Sequence, residues 1–218
     1  MKILKPIALL AVLFLTIIFT NFTEKQVKIE NNEAINYLEK TEVAYFASGC
    51  FWCVEAIFES VKGVEEAVSG YAGGLTKNPT YRKIGTGRTG HAETVAVYYN
   101  TKKVSFQTLV DVYFGSHNPT TKNGQHPDYG TQYRSIAFYK NEKEKQIIES
   151  TIKKLNKEFY KGKIVTEVTK FTKFYPAEEY HQNYEKLHPE NPYVQKVSIP
   201  RLNRFKRKFP ELLKKEKH

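Results

Sequence analysis

The chain has 218 residues, 40% of them hydrophobic and 14% aromatic, enough for an ordinary core in one domain with extensions. Its net charge of +11 sits mostly at one end, because residues 196–218 hold nine Lys/Arg against two acids and the rest holds 25 bases against 21 acids. A nearly balanced body with no nucleic-acid-binding motif argues against nucleic acid as the partner and for a solvated basic tail.

In chain order, Lys2 and Lys5 precede an uncharged apolar run over residues 7–22. The run is shorter than the ~20 residues of a comfortable membrane span and fits a secretory h-region. No small-x-small cleavage site follows it. Residues 1–23 therefore read as a signal peptide or an uncleaved signal anchor, with residues 6–22 as the anchoring stretch. Either form predicts an exported body, periplasmic or otherwise extracytoplasmic. Residues 24–40 read as a polar tether.

Residues 43–47 have the short apolar and aromatic pattern of a buried strand. Ser48-Gly49 breaks the run, with Ser48 as the expected helix cap. Val54, Ile57, Phe58 and Val61 then recur at helical spacing, with Gly63 at the end. Cys50 is thus expected where a strand turns into a helix, where free N–H groups and the positive end of the dipole favour a thiolate. Cys53 falls on the same face one turn later, near enough for a disulfide. A structural disulfide and half of a zinc site are the competing readings. A bridge across two intervening residues constrains little chain, and no closely spaced His pair supplies two further zinc ligands. Chemistry is the better reading.

Residues 64–71 form a strand candidate, and residues 75–90, with Pro79, a long loop. Residues 91–99 alternate like a strand, which puts Glu93 on the face of Val95 and Val97. A carboxylate in that position needs a reason. Residues 105–115 predict an amphipathic helix capped by Ser105, and residues 116–133 a second long loop. A strand over 134–139, a helix over 142–159, a strand over 165–169 and a short helix over 177–187 complete a body spanning 41–197. Residues 198–218 are a basic tail. Leu202, Phe205, Phe209 and Leu212 are spaced for an amphipathic helix that lies on a membrane or packs on the body. The strand–helix alternation gives an α+β two-layer sandwich, and the hairpin-like run 64–99 makes its mixed sheet mostly antiparallel.

The two loops and the strand-borne acid can converge on Cys50. They offer Tyr81, Glu93, Asp128 and Tyr133. His91, His117, His126 and His181 permit a Cys–His hydrolase, although the sequence singles out none of them.

Four motifs then carry a resemblance: Gly-Cys-Phe-Trp at 49–52, Asn-Pro-Thr-Tyr at 78–81, Gly-His-Ala-Glu at 90–93 and Gly-Thr-Gln-Tyr-Arg at 130–134. Together they resemble the peptide methionine sulfoxide reductases of the A type, over about residues 43–193, with both chain ends outside. The resemblance implies a ferredoxin-like core and reduction of methionine S-sulfoxide, free or in oxidised proteins, as a repair reaction. It implies Cys50 as nucleophile, Glu93 as proton donor, Tyr81 and Tyr133 as hydroxyls holding the sulfoxide oxygen, and Asp128 as an acid ordering the site. It implies Phe51 and Trp52 as the pocket for the substrate methyl group. Attack leaves a sulfenic acid on Cys50. Many relatives resolve it with cysteines in a C-terminal tail, and this tail has none, so Cys53 is the candidate resolving cysteine. Thioredoxin or an equivalent dithiol would reduce the disulfide. No metal or organic cofactor is implied, and a monomer is expected, with membrane contact through the N-terminal segment and the tail. The rivals are a general thiol–disulfide oxidoreductase, whose tryptophan usually precedes the first cysteine, and a tail-driven binding module.

Overall fold

The structure, a computed structural model, describes residues 40–215. The apolar run at 7–22 and all but the last residue of the expected tether lie outside the described residues. Among those described, no helix is long and apolar enough to cross a membrane.

The central sheet has six strands in the order β7-β6-β1-β3-β2-β8. They are β1 (Thr41–Ser48), β2 (Val64–Ala72), β3 (Ala92–Asn100), β6 (Ser135–Tyr139), β7 (Glu167–Lys170) and β8 (Phe174–Pro176), with β4 (Gly124–Gln125) and β5 (Asp128–Tyr129) as a separate small hairpin. β1 runs antiparallel to β6, β2 antiparallel to β3 and β8, and β6 parallel to β7. The fold is therefore α+β with a mixed, mostly antiparallel sheet, as the sequence pattern predicts.

The period of two decides which side chains meet. Along β1, Ala44 and Phe46 enter the large core beneath the helices, while Tyr45 and Ala47 join a small cluster on the other face with Ile136 and Phe138. Phe46 lies 5.2 Å from Phe58 and 5.0 Å from Tyr113, centroid to centroid. On the opposite face Tyr45 stacks on Phe171 at 3.8 Å. Such pairs add about 0.5–1.5 kcal/mol beyond the area they bury.

The helices are α1 (Phe51–Glu59), the single turn α2 (Tyr81–Ile84), α3 (Phe106–Gly115), α4 (Glu142–Leu155), the short α5 (Tyr184–Leu187) and α6 (Ile199–Lys208). α3 starts as the sequence predicts, with the Ser105 hydroxyl accepting from Thr108 N–H at 3.0 Å. Other details differ. α1 ends at Glu59, and Gly63, at φ +84°, instead serves the turn into β2. α4 passes into a wider π-type turn over Asn156–Tyr160 rather than continuing to Phe159. The helix expected over 177–187 is split into a 3-10 turn, Glu179–His181, and α5. Asn183 between them is left-handed at φ +53°, held there by its N–H donating a short bond to the buried Glu55 carboxylate. That tertiary contact outweighs local helix propensity.

At the C-terminus the structure takes the second of the two readings of the basic tail: residues 199–213 pack onto the body. Phe205 is 2% exposed, and Leu202, Phe209, Leu212 and Leu213 pack against the main core. The chain end is also sewn to the end of α1. Lys62 N–H donates to Leu212 O and Lys214 N–H to Ser60 O, both at 2.8 Å, and Val61 bridges Leu213. The apolar face that could have met a membrane is spent on the protein itself.

Candidate active site

The turn between β1 and α1 sets the geometry. Gly49 has φ +89°, and a Cβ there would lie 2.5 Å from Gln125 Cβ, so the turn needs glycine. Cys50 follows as the N-terminal boundary residue of α1 and is 7% exposed. Ser48 is not the helix cap. Its carbonyl and hydroxyl oxygens accept from Arg201 Nη2 at 3.0 and 3.3 Å. The first free N–H of the helix, that of Phe51, donates to Glu93 Oε2 at 3.0 Å. The helix start is thus committed to the Glu93 carboxyl.

That commitment changes the expected state of Cys50. Burial pushes its thiol well up, and the hydrogen bond with Cys53 and the charges of Cys53 and Glu93 add to this, against a donated bond from the Tyr193 hydroxyl. The resting group is a thiol, not the thiolate that a bare helix N-terminus favours. Cys53, also buried and free, is pulled down to about 7. Its hydrogen bond with Cys50 is the main cause, opposed by burial and supported by Arg201 and Ser198.

Glu93 sits on β3 opposite Tyr71 of β2 and is 2% exposed. Burial raises its carboxyl to about 8; the Phe51 N–H pulls it back, and the charges of Asp128 and Cys53 push it further up. It therefore carries a proton at neutral pH. Two phenols share this environment. Tyr81 is pushed up to about 12 by burial, Glu93 and Cys50, while Tyr133 hydrogen-bonds it and pulls the other way. Tyr133 is pushed up still more strongly by burial and Glu93. Both keep their protons and are donors.

Each phenol is held from outside. Tyr81 N–H donates to Glu178 Oε1 at 3.0 Å, and Tyr71 Oη to Glu178 Oε2 at 2.8 Å. Arg134, next to Tyr133, donates to Thr131 O and Gly90 O at 2.9 Å and pairs with Glu167 at 3.1 Å. Its fork ties the segment carrying Tyr133 to the one leading into β3.

Phe51 is fully buried, 5.0 Å from His181, 6.0 Å from Tyr71 and 6.2 Å from Tyr81. Trp52 is half-buried, stacked on Tyr184 at 3.8 Å, with its indole N–H donating to His181 Nδ1 at 3.2 Å. The apolar wall beside Cys50 is therefore rigid. Asp128 is half-buried and accepts a short hydrogen bond from Tyr193. Burial raises its carboxyl, against that bond and the Arg201 charge.

The eight residues singled out from the sequence thus surround one turn and one strand. The histidines do not supply a base for Cys50, whose thiol is partnered by Cys53 and Tyr193. His91 clamps the first long loop through Gly74 N and Thr76 O. His117 bonds Tyr113 O and Ser135. His181 supports Trp52. Several contributors are absent from the sequence reading. Tyr193 had no distinguishing signal among fifteen tyrosines. Glu55, which accepts a short bond from Ser69, was visible in principle, since it falls one turn after Phe51 on the buried face of α1.

A family model described as peptide methionine sulfoxide reductase matches residues 42–213. The match takes in the C-terminal helix, which the motif resemblance had left outside. The chain is 48% identical over 174 residues to a peptide methionine sulfoxide reductase MsrA of Pasteurella multocida, covering 80% of this chain and 99% of that one. It is 45% identical over 168 residues to the MsrA of Picrophilus torridus, covering 77% and 95%. Among solved structures, methionine sulfoxide reductase A of Corynebacterium diphtheriae aligns with a TM-score of 0.64 at 36% identity, over 70% of this chain and 77% of that one. Mxr1 of Saccharomyces cerevisiae in reduced form aligns with a TM-score of 0.65 at 32% identity, over 70% and 88%.

Proposed function

The chain belongs to the peptide methionine sulfoxide reductase family, and from that premise we propose how its own residues carry the reaction. The enzyme reduces methionine sulfoxide to methionine at the expense of thiols, a repair of oxidised methionine. Cys50 Sγ attacks the sulfoxide sulfur. Glu93 delivers a proton to the sulfoxide oxygen, and the Tyr81 and Tyr133 hydroxyls hydrogen-bond that oxygen as charge builds on it. The oxygen passes to Cys50 as a sulfenic acid while methionine leaves, and the proton lost from the thiol balances the one given by Glu93. The substrate sulfur is reduced by two electrons and the Cys50 sulfur oxidised by two.

The observation that carries this reading is the buried carboxyl of Glu93, bonded by the Phe51 N–H at the start of the helix bearing Cys50, where burial raises it. Phe51 and Trp52 receive the substrate methyl group, which has no polar handle. Asp128 acts through Tyr193. Cys53 then attacks the sulfenic acid, and a thioredoxin-type dithiol reduces the resulting disulfide. The substrate is the S epimer at sulfur. Export of the body, with residues 6–22 as signal or anchor, completes the proposal and rests on the sequence pattern alone. The test is turnover of free and peptide methionine sulfoxide with the epimers resolved. Consumption of the S epimer alone is expected; equal consumption of both, or turnover by Cys50→Ser, overturns the assignment.

A further inference from the structure

Arg201 is a buried cation that the reaction above does not use. It is 8% exposed and comes from α6, about 150 residues after the cysteines. Its guanidinium donates to Ser116 O at 2.9 Å, Ser48 O at 3.0 Å and Ser48 Oγ at 3.3 Å. A Cβ on Gly49 would lie 3.6 Å from its Nη1, so the fork rests on the two residues immediately before Cys50. These partners are two carbonyls and a hydroxyl, not a carboxylate. A cation buried in this way is costly unless it serves something nearby. Three residues earlier, at the approach to the same helix, Ser198 is fully buried. Its hydroxyl donates to Glu185 of α5.

We propose that the C-terminal helix is a working part of the recycling half-reaction: Arg201, through its bonds to Ser48 and Ser116, fixes the turn carrying the two cysteines and keeps the Cys53 sulfur a ready nucleophile towards oxidised Cys50. Arg201 is a positioning residue here, and its fixed charge favours the anionic sulfur. The inference rests on Cys53 as the resolving cysteine. In that step a Cys53–Cys50 S–S bond forms and the Cys50 S–O bond breaks. The hydroxide leaves as water, and the proton it takes up is matched by the one the Cys53 thiol releases. The titratable and charged groups facing Cys53 are Cys50, Glu93, Glu185, Tyr193 and Arg201. Arg201 is the cation among them. After the hydrogen bond with Cys50, its charge is the next influence that lowers the Cys53 thiol.

The test separates attack from closure in a single turnover. Reduced enzyme is mixed with a peptide containing methionine S-sulfoxide, without a reductant, and quenched at intervals. Sulfenic acid is trapped with dimedone and disulfide is counted by mass, across pH 6–9. Arg201→Met is expected to slow closure at pH 7 by about tenfold, more than it slows attack, and to move the rising limb of closure to higher pH. Arg201→Lys, which keeps the charge and loses the fork, is expected to restore the position of that limb at a reduced rate. Equal losses in both steps, with the limb unmoved, overturn the proposal. Should Arg201→Met not fold, Arg201→Gln, which keeps N–H donors for Ser48 and Ser116 and loses the charge, is read in the same assay. A limb of closure left where the wild type has it then overturns the proposal. If the wild type forms no Cys50–Cys53 disulfide at all, the assignment of Cys53 as resolver fails, which is a different result from an unmoved limb.

Discussion

Glu93 is a carboxylic acid kept neutral by its surroundings, and its chemistry follows from the sign of that shift. Its carboxyl is raised to about 8, so the acid form is present at neutral pH and fades as pH climbs through that value. Sulfenic acid formation in a single turnover is therefore expected to fall above about pH 8. Glu93→Gln should remove that falling limb and slow the step by about 10²–10⁴-fold, the usual range for general acid catalysis. An unchanged rate would move the donor role to Tyr81 or Tyr133. The stability consequence has the same sign. A carboxyl raised from 4.5 stabilises the fold below 4.5, and that contribution is lost as pH rises towards 8. Glu93→Gln should thus flatten the dependence of the urea midpoint on pH between 5 and 8 relative to wild type. Cys53→Ser should complete about one turnover per site, since attack needs only Cys50, and then stall with thioredoxin as sole reductant. Sustained wild-type turnover by that variant would rule out Cys53 as resolver.

At the scale of elements, what could be read from the sequence depended on how local the cause was. β1, β2, β3 and α3 follow directly from periodicity and capping. Glu93 was readable as buried because a strand puts every second residue on one face. Long-range contacts were not readable. The break at Asn183 exists because Glu55, 128 residues earlier, accepts its N–H. Ser48 fails as a cap because Arg201, 153 residues later, takes its oxygens. The protonation of Cys50 was misjudged for a related reason. Burial of the sulfur, its hydrogen bond with Cys53 and the charges of Cys53 and Glu93, brought in by the fold, push the thiol up. For α6 the spacing of apolar residues was right, but spacing cannot say which surface they meet. Phe205→Ala should therefore destabilise the protein by about 3–5 kcal/mol, as for a buried phenylalanine, measured by urea unfolding. A solvated tail would give a change near zero.

For the whole molecule, the basic stretch that looked like an appendage is structural where it carries apolar residues and at the buried Arg201, and its other charges are exposed or partly exposed. A protein lacking residues 1–23 should bind anionic vesicles weakly and be released by moderate salt, because α6 spends its apolar face on the body. Deleting residues 199–218 should lower the thermal midpoint and the turnover together. Retention of both would contradict the packing of α6 on α1. The stitching of residues 60–62 to residues 212–214 also bears on how the protein folds. The reactive turn around Cys50 is supported by residues that lie about 150 positions further along the chain. Contacts of such wide sequence separation form late and slowly. A folding chain exposes its cysteines well before it can shelter them. On refolding, competence should therefore appear as one late event, with the docking of residues 199–214, and thiol reagents should reach the two cysteines until that event.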